Sequence, residues 1–155
     1  MPTRVAREHR PAMRFLMSIA LFGALAVGGF IFRDYIGGSP ADLKVGDCFD
    51  VPTTAEETVD DVQHHPCTES HTAEVILIQS HPAAESAAIP SDTALFDWLR
   101  KTCVSGLMGY VGQDTALYDV GAFYPTESDW DKGDREVTCY VTMLDGSAVT
   151  ASLKR

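Results

Sequence analysis

Thr72-Ala73-Glu74-Val75-Ile76-Leu77-Ile78 is rich in β-branched residues, and from Val75 onward it is apolar on both parities. A strand with one wet face alternates apolar and polar residues, whereas a strand covered on both faces does not. The run therefore reads as the central strand of a sheet, and the rest of the chain is read outward from it. On its N-terminal side, Leu43, Val45, Phe49 and Val51 share one parity, which predicts a strand over 43–51 with Cys48 on the opposite face. Gly46 marks a bulge in it, and Pro52 ends it. Residues 53–58 form a polar, acidic connector, and Val59 to Val62 reads as a short strand.

On its C-terminal side, residues 80–91 hold Pro82 and Pro90 and form a loop. Ser91 or Asp92 then caps a helix from about Thr93 to Tyr110. Leu95, Trp98, Leu99, Cys103, Leu107 and Tyr110 fall on one face of that helix. Gly106 suits close packing against a strand, and Gly112 follows the helix end. The segment from Thr115 to Trp130 is irregular and aromatic, and Gly133-Asp134 forms a turn before the next strand. Val137, Cys139, Val141 and Met143 alternate with polar residues, as do Val149, Ala151 and Leu153. These runs predict a terminal hairpin closed by Asp145-Gly146-Ser147, with Cys139 pointing toward the helix. The expected fold class is α+β: a small antiparallel sheet packed against one main helix.

Ahead of this domain lies Phe15 to Phe32, FLMSIALFGALAVGGFIF, with no charged residue. As a helix it would be about 27 Å long, close to the roughly 30 Å hydrocarbon core of a bilayer. It is expected to be a transmembrane helix over 15–32, with Arg14 and Arg33 reaching the headgroups. The arm over 1–14 carries Arg4, Arg7, Arg10 and Arg14 against Glu8, so it is expected on the cytoplasmic side. Residues 33–41, with Gly37-Gly38-Ser39-Pro40, read as a linker, and residues 42–155 as an extracytoplasmic domain. The expected localisation is the cell membrane, single-pass. A cleaved signal peptide is the competing reading, with Ala24-Leu25-Ala26 as its small-residue site. Cleavage there would leave the apolar stub Val27 to Phe32, which favours a retained signal-anchor.

Charge divides with the span. Of 12 Lys+Arg and 22 Asp+Glu, four and one lie in the arm, leaving eight against twenty-one outside, a net −13. Such a domain is repelled by nucleic acid and by anionic lipid, so it touches the membrane only through its own span. All four cysteines, Cys48, Cys67, Cys103 and Cys139, lie in the outer part, and an even count in an oxidising compartment reads as two disulfides. Spacing allows three pairings. The expected packing selects Cys48–Cys67 between neighbouring strand ends and Cys103–Cys139 between helix and terminal hairpin.

His64, His65, Cys67 and His71 offer a metal-site reading, but a cysteine held in a disulfide is no ligand, so no metal and no cofactor are expected. The acidic turn Asp129-Trp130-Asp131-Lys132-Gly133-Asp134 lacks the spacing of a calcium loop, with Gly133 where a ligand is needed. There is no CxxC, nucleophile elbow or Ser-x-x-Lys. The chain is therefore read as a non-enzyme, with a ligand or metal sensor as one alternative and a small wall-acting enzyme using paired carboxylates as another. Tyr118, Phe123, Tyr124 and Trp130, with Arg135, form the candidate partner-binding face. The competing structural roles are aromatics covering core edges and Arg135 holding its turn.

A family resemblance rests on the order of several short motifs: Leu-Lys-Val-Gly-Asp-Cys-Phe at 43–49, then Cys67 and His71-Thr72-Ala73-Glu74-Val75. A helix bearing Cys103 follows, then Tyr124-Pro125, Trp130, Gly133-Asp134-Arg135, Cys139 and Gly146-Ser147. In this the chain resembles the septum formation domain family of actinobacterial membrane proteins over about residues 42–153. The family usually shows Pro-His where this chain has Ser70-His71. The resemblance implies a domain carried after a single span, a link to septum formation, cell division or envelope assembly, and envelope or division proteins as partners. It carries over no catalytic residues.

Overall fold

The computed structural model describes residues 37–52 and 58–155. The expected cytoplasmic arm, the transmembrane helix over 15–32 and the start of the linker lie outside the described residues. Among the described residues, no helix is long and apolar enough to cross a membrane.

Five strands form one antiparallel sheet: β1 (Cys48–Asp50), β2 (Gln63–His65), β3 (Ala73–Ser80), β4 (Tyr118–Phe123) and β5 (Glu136–Met143), in the order β2-β1-β3-β5-β4. The 72–78 run thus supplies the middle strand, as expected. Its double apolar parity has a specific cause. Val75 opposes Tyr140 and Leu77 opposes Cys139, so Ile76 is the extra residue of a bulge. Both faces of the sheet are covered. On one, α1 (Asp92–Val111) packs Leu95, Leu99, Cys103 and Leu107 onto Ile76, Val137, Cys139 and Val141. On the other, Leu43 and Val62 pack with Phe49, Ala73 and Val75, joined by Phe123 and Tyr140.

The helix matches its expected bounds to about one residue at each end. Ser91 stands at its N-cap without a side-chain hydrogen bond, and Gly112 ends it at φ 89°, a left-handed conformation that costs glycine little. Gly106 faces Leu77 so closely that an added Cβ would lie 3.0 Å from the Leu77 Cβ. Both expected disulfides are present: Cys48–Cys67 and Cys103–Cys139, separated by 19 and 36 residues. On a chain-entropy argument they contribute about 3 and nearly 4 kcal/mol by restricting the unfolded chain.

Several local expectations are corrected. The strand at 43–51 shrinks to three residues. Val45 shares a parity with Leu43 but is 51% exposed, because Lys44 to Asp47 form a turn with Gly46 at φ 94°. The strand expected at Val59–Val62 is displaced to β2, and only Val62 pairs, bridging Gly38. That bridge and the buried Pro40 of the short 3-10 turn Pro40–Asp42 make residues 38–42 part of the domain rather than a linker. The segment 115–130 is not irregular: it holds β4 and a short helix, α2 (Glu127–Asp131), whose N-cap Thr126 accepts from the Asp129 N–H.

The terminal hairpin does not form. β4 takes the place beside β5, and Val149 instead bridges His71 next to β3. Glu74 supplies a physical reason. Its side chain is fully buried, and a buried carboxylate needs donors. The Tyr110 hydroxyl and the Ser152 hydroxyl each donate to Oε1 at 2.6 Å, and the Leu153 N–H donates to Oε2 at 2.7 Å. The C-terminal residues are thus drawn across to Glu74. Burial and the neighbouring Glu74 push the Tyr110 phenol far above its ordinary value, so it stays a donor.

Candidate functional site

The sheet face turned away from α1 bears a groove of about 420 Å³. Its floor is Phe123 and Tyr140, whose rings pack at 5.0 Å and both meet Phe49. Local sequence explains the floor: Gly121 lies against the Tyr140 ring, and a Cβ there would clash with the ring edge and its hydroxyl. Burial, with the Asp119 charge adding to it, raises the Tyr140 pKa above its ordinary value, so the floor is uncharged. Ser39–Ala41 and Thr58–Asp60 form one wall, and Tyr124–Thr126 with Asp129 and Asp134 form another.

Among the described residues, four carboxylates line the groove: Asp60, Asp129, Asp134 and Glu136. Two are committed to local structure. Asp129 accepts from the Thr126 hydroxyl at 2.6 Å and pairs with Lys132 at 3.0 Å, and these hydrogen bonds hold its carboxyl below the usual range. Asp134 accepts the Glu136 N–H at 2.9 Å. Asp60 and Glu136 are exposed. Among the described residues, the lining contains no lysine, arginine, histidine or cysteine. Tyr124 is 43% exposed and continues the aromatic surface outward, its ring set edge-on to Phe96 on α1, which is 54% exposed.

The expected partner-binding residues therefore divide. Phe123 and Tyr124 line the groove. Tyr118 is half-buried against the α1 side of the sheet. Trp130 and Arg135 are not surface residues at all, at 1% and 7% exposure. The Arg135 guanidinium lies 3.8 Å over the Trp130 ring. It donates to the carbonyls of Trp130 (2.6 Å), Asp134 (2.7 Å), Ala84 (3.2 Å), Glu85 (2.7 Å) and Ala87 (3.3 Å). Trp130 Nε1 also donates to the Ala87 carbonyl at 2.8 Å. The pair clamps the 84–87 loop, and Arg135 holds its turn and this loop through backbone carbonyls. Nothing in the sequence signals this, because the loop lies some fifty residues away. Asp60, Glu136 and Phe96 are the groove and rim residues that sequence reasoning missed. Thr58 at the end of the expected connector and Asp60 in the expected Val59–Val62 strand form a groove wall instead.

His65 and His71 are held by local hydrogen bonds. His65 Nε2 lies 2.8 Å from Asp50 Oδ2 across β1 and β2. His71 Nδ1 donates to the Glu69 carbonyl at 2.8 Å. Among the described residues, Cys48, His71 and Glu74 are the one trio whose ligand atoms lie within 4.8 Å of one another. Cys48 is committed to its disulfide, and both Glu74 oxygens already accept hydrogen bonds.

Fold and site together define a disulfide-stapled α+β domain with a carboxylate-lined, aromatic-floored groove. A family model described as septum formation matches residues 45–155, and the chain belongs to that family, which links it to cell division. No curated protein and no solved structure matches the chain.

Proposed function

We propose that the chain is a single-pass membrane protein, cytoplasmic at its N-terminus, whose outer domain acts in septum formation by binding another envelope or division protein and not by catalysis. The groove carries this reading. It offers aromatic faces and carboxylates suited to recognising a partner, and among the described residues its lining holds no histidine or cysteine to act as base or nucleophile. Asp129 is shifted downward, the opposite of what a general acid needs. The two disulfides support an oxidising compartment. The uncharged run Phe15 to Phe32 with its arginine-rich arm supports an anchor.

The test is replacement of the chain in its own cells by a Tyr124→Ala, Phe96→Ala variant. Septum spacing is expected to be disturbed while the amount of protein stays normal. Septa indistinguishable from those of the parent cells would remove the groove from the function. Hydrolysis of wall fragments by the purified chain, abolished by Glu136→Gln, would replace binding with catalysis.

A further inference from the structure

Resting on the binding reading above, we propose that the groove takes a basic segment of a partner polypeptide. A lysine or arginine side chain lies against Tyr124 and the carboxylates of Asp60 and Glu136, and an adjoining apolar residue rests on Phe96. Charge complementarity is the first argument. Among the described residues the lining carries four carboxylates and no cation. The Lys132 that pairs with Asp129 is an exposed surface contact that offsets one of them. Asp60 and Glu136 are exposed, so an incoming cation can reach them.

Ring chemistry is the second argument. The faces of tyrosine and phenylalanine are negative, and a cation over such a face gains roughly 0.5–2 kcal/mol depending on desolvation. Tyr124 offers a ring at the groove mouth, with Phe123 and Tyr140 beneath. Arg135 over Trp130 shows the same pairing elsewhere in this domain. At about 420 Å³ the groove falls within the roughly 300–1,000 Å³ of ordinary ligand sites.

The occupant is a polypeptide segment because the surface joins two chemistries. Carboxylates in the groove suit a cation, and Phe96 beyond Tyr124 suits an apolar side chain. A second copy of this domain is disfavoured, since the outer part carries a net −13 and would bring like charge to like charge. An anionic headgroup is disfavoured for the same reason.

The experiment uses the full chain in neutral-lipid nanodiscs. The probes are a short fluorescein-labelled peptide of alternating lysine and glycine and its glutamate counterpart. The lysine peptide is expected to bind, more weakly as salt rises, and the glutamate peptide not to bind. The double variant Asp60→Asn, Glu136→Gln is expected to weaken binding about tenfold, and Tyr124→Ala several-fold. A control removes the same charge elsewhere: Asp97→Asn with Asp114→Asn, both exposed and outside the groove, should leave affinity within about twofold. Equal weakening by control and groove pairs would mean bulk charge alone and would overturn the proposal. Absence of lysine-peptide binding would overturn it too. Either result leaves the binding reading standing if Tyr124→Ala, Phe96→Ala still disturbs septa, so the two failures are told apart.

Discussion

Arg135 is a cation buried among backbone carbonyls. Five of them receive its hydrogen bonds, and the Trp130 ring covers its face. Truncation would strip donors from the carbonyls of residues 84–87 and uncover the indole. Arg135→Ala should therefore cost about 3 kcal/mol, combining lost charge-assisted hydrogen bonds with a cation–π contact. Arg135→Lys should recover little, because an ammonium lacks the planar fork. Thermal denaturation of both variants checks this, and an unchanged melting temperature would refute the clamp. Next to it, His81 meets Trp98 and Trp130 edge-on at 4.5 and 5.2 Å. Burial, then the Arg135 charge, lowers its pKa below the ordinary 6.5. In the unfolded chain this histidine takes up its proton near 6.5, while the folded chain resists until lower pH. Stability from neutral His81 is therefore present above about 6.5 and is lost as pH falls toward the folded pKa. His81→Gln should flatten the pH dependence of the melting temperature below pH 6.5, and an unchanged slope would count against the assignment.

At the scale of elements, two glycines in α1 separate packing from propensity. A Cβ at Gly106 would lie 3.0 and 3.2 Å from Leu77 atoms, whereas at Gly109 it would meet nothing within 4 Å. Alanine improves helix propensity by about 1 kcal/mol at either site. Gly109→Ala should gain up to that amount, while Gly106→Ala should lose about 1–2 kcal/mol as Leu77 is displaced. Urea denaturation would show opposite signs, and equal gains would refute the helix–sheet contact. The helix was legible because its 3.6-residue stripe from Leu95 to Tyr110 runs for about four turns, and Gly106 was legible as its flaw. β4 was not, because Tyr118-Asp119-Val120-Gly121-Ala122-Phe123 has one charged residue and a glycine where a strand favours large side chains. That glycine exists for the Tyr140 ring on the neighbouring strand, information absent from the segment itself.

The whole molecule divides at the apolar run 15–32. A reporter enzyme active only outside the cytoplasm, fused after Arg155, should be active, and activity from a cytoplasm-only reporter there would refute the orientation and the compartment inferred from the cysteines. Within the domain, the sequence alone determined the middle strand, the helix and its buried face, both disulfide pairs and the family. The strand and helix rest on local periods, the disulfide pairs on cysteines at neighbouring strand ends and between helix and sheet, and the family on the order of short motifs. Tertiary structure alone decided that β4 and not residues 149–153 lies beside β5, that Trp130 and Arg135 are interior, and that Asp60 and Glu136 share a groove. The physical reason is common to all three. A periodic pattern records that a face is covered but not what covers it. A buried carboxylate such as Glu74, or a buried guanidinium such as Arg135, draws its hydrogen-bond partners from segments distant in sequence.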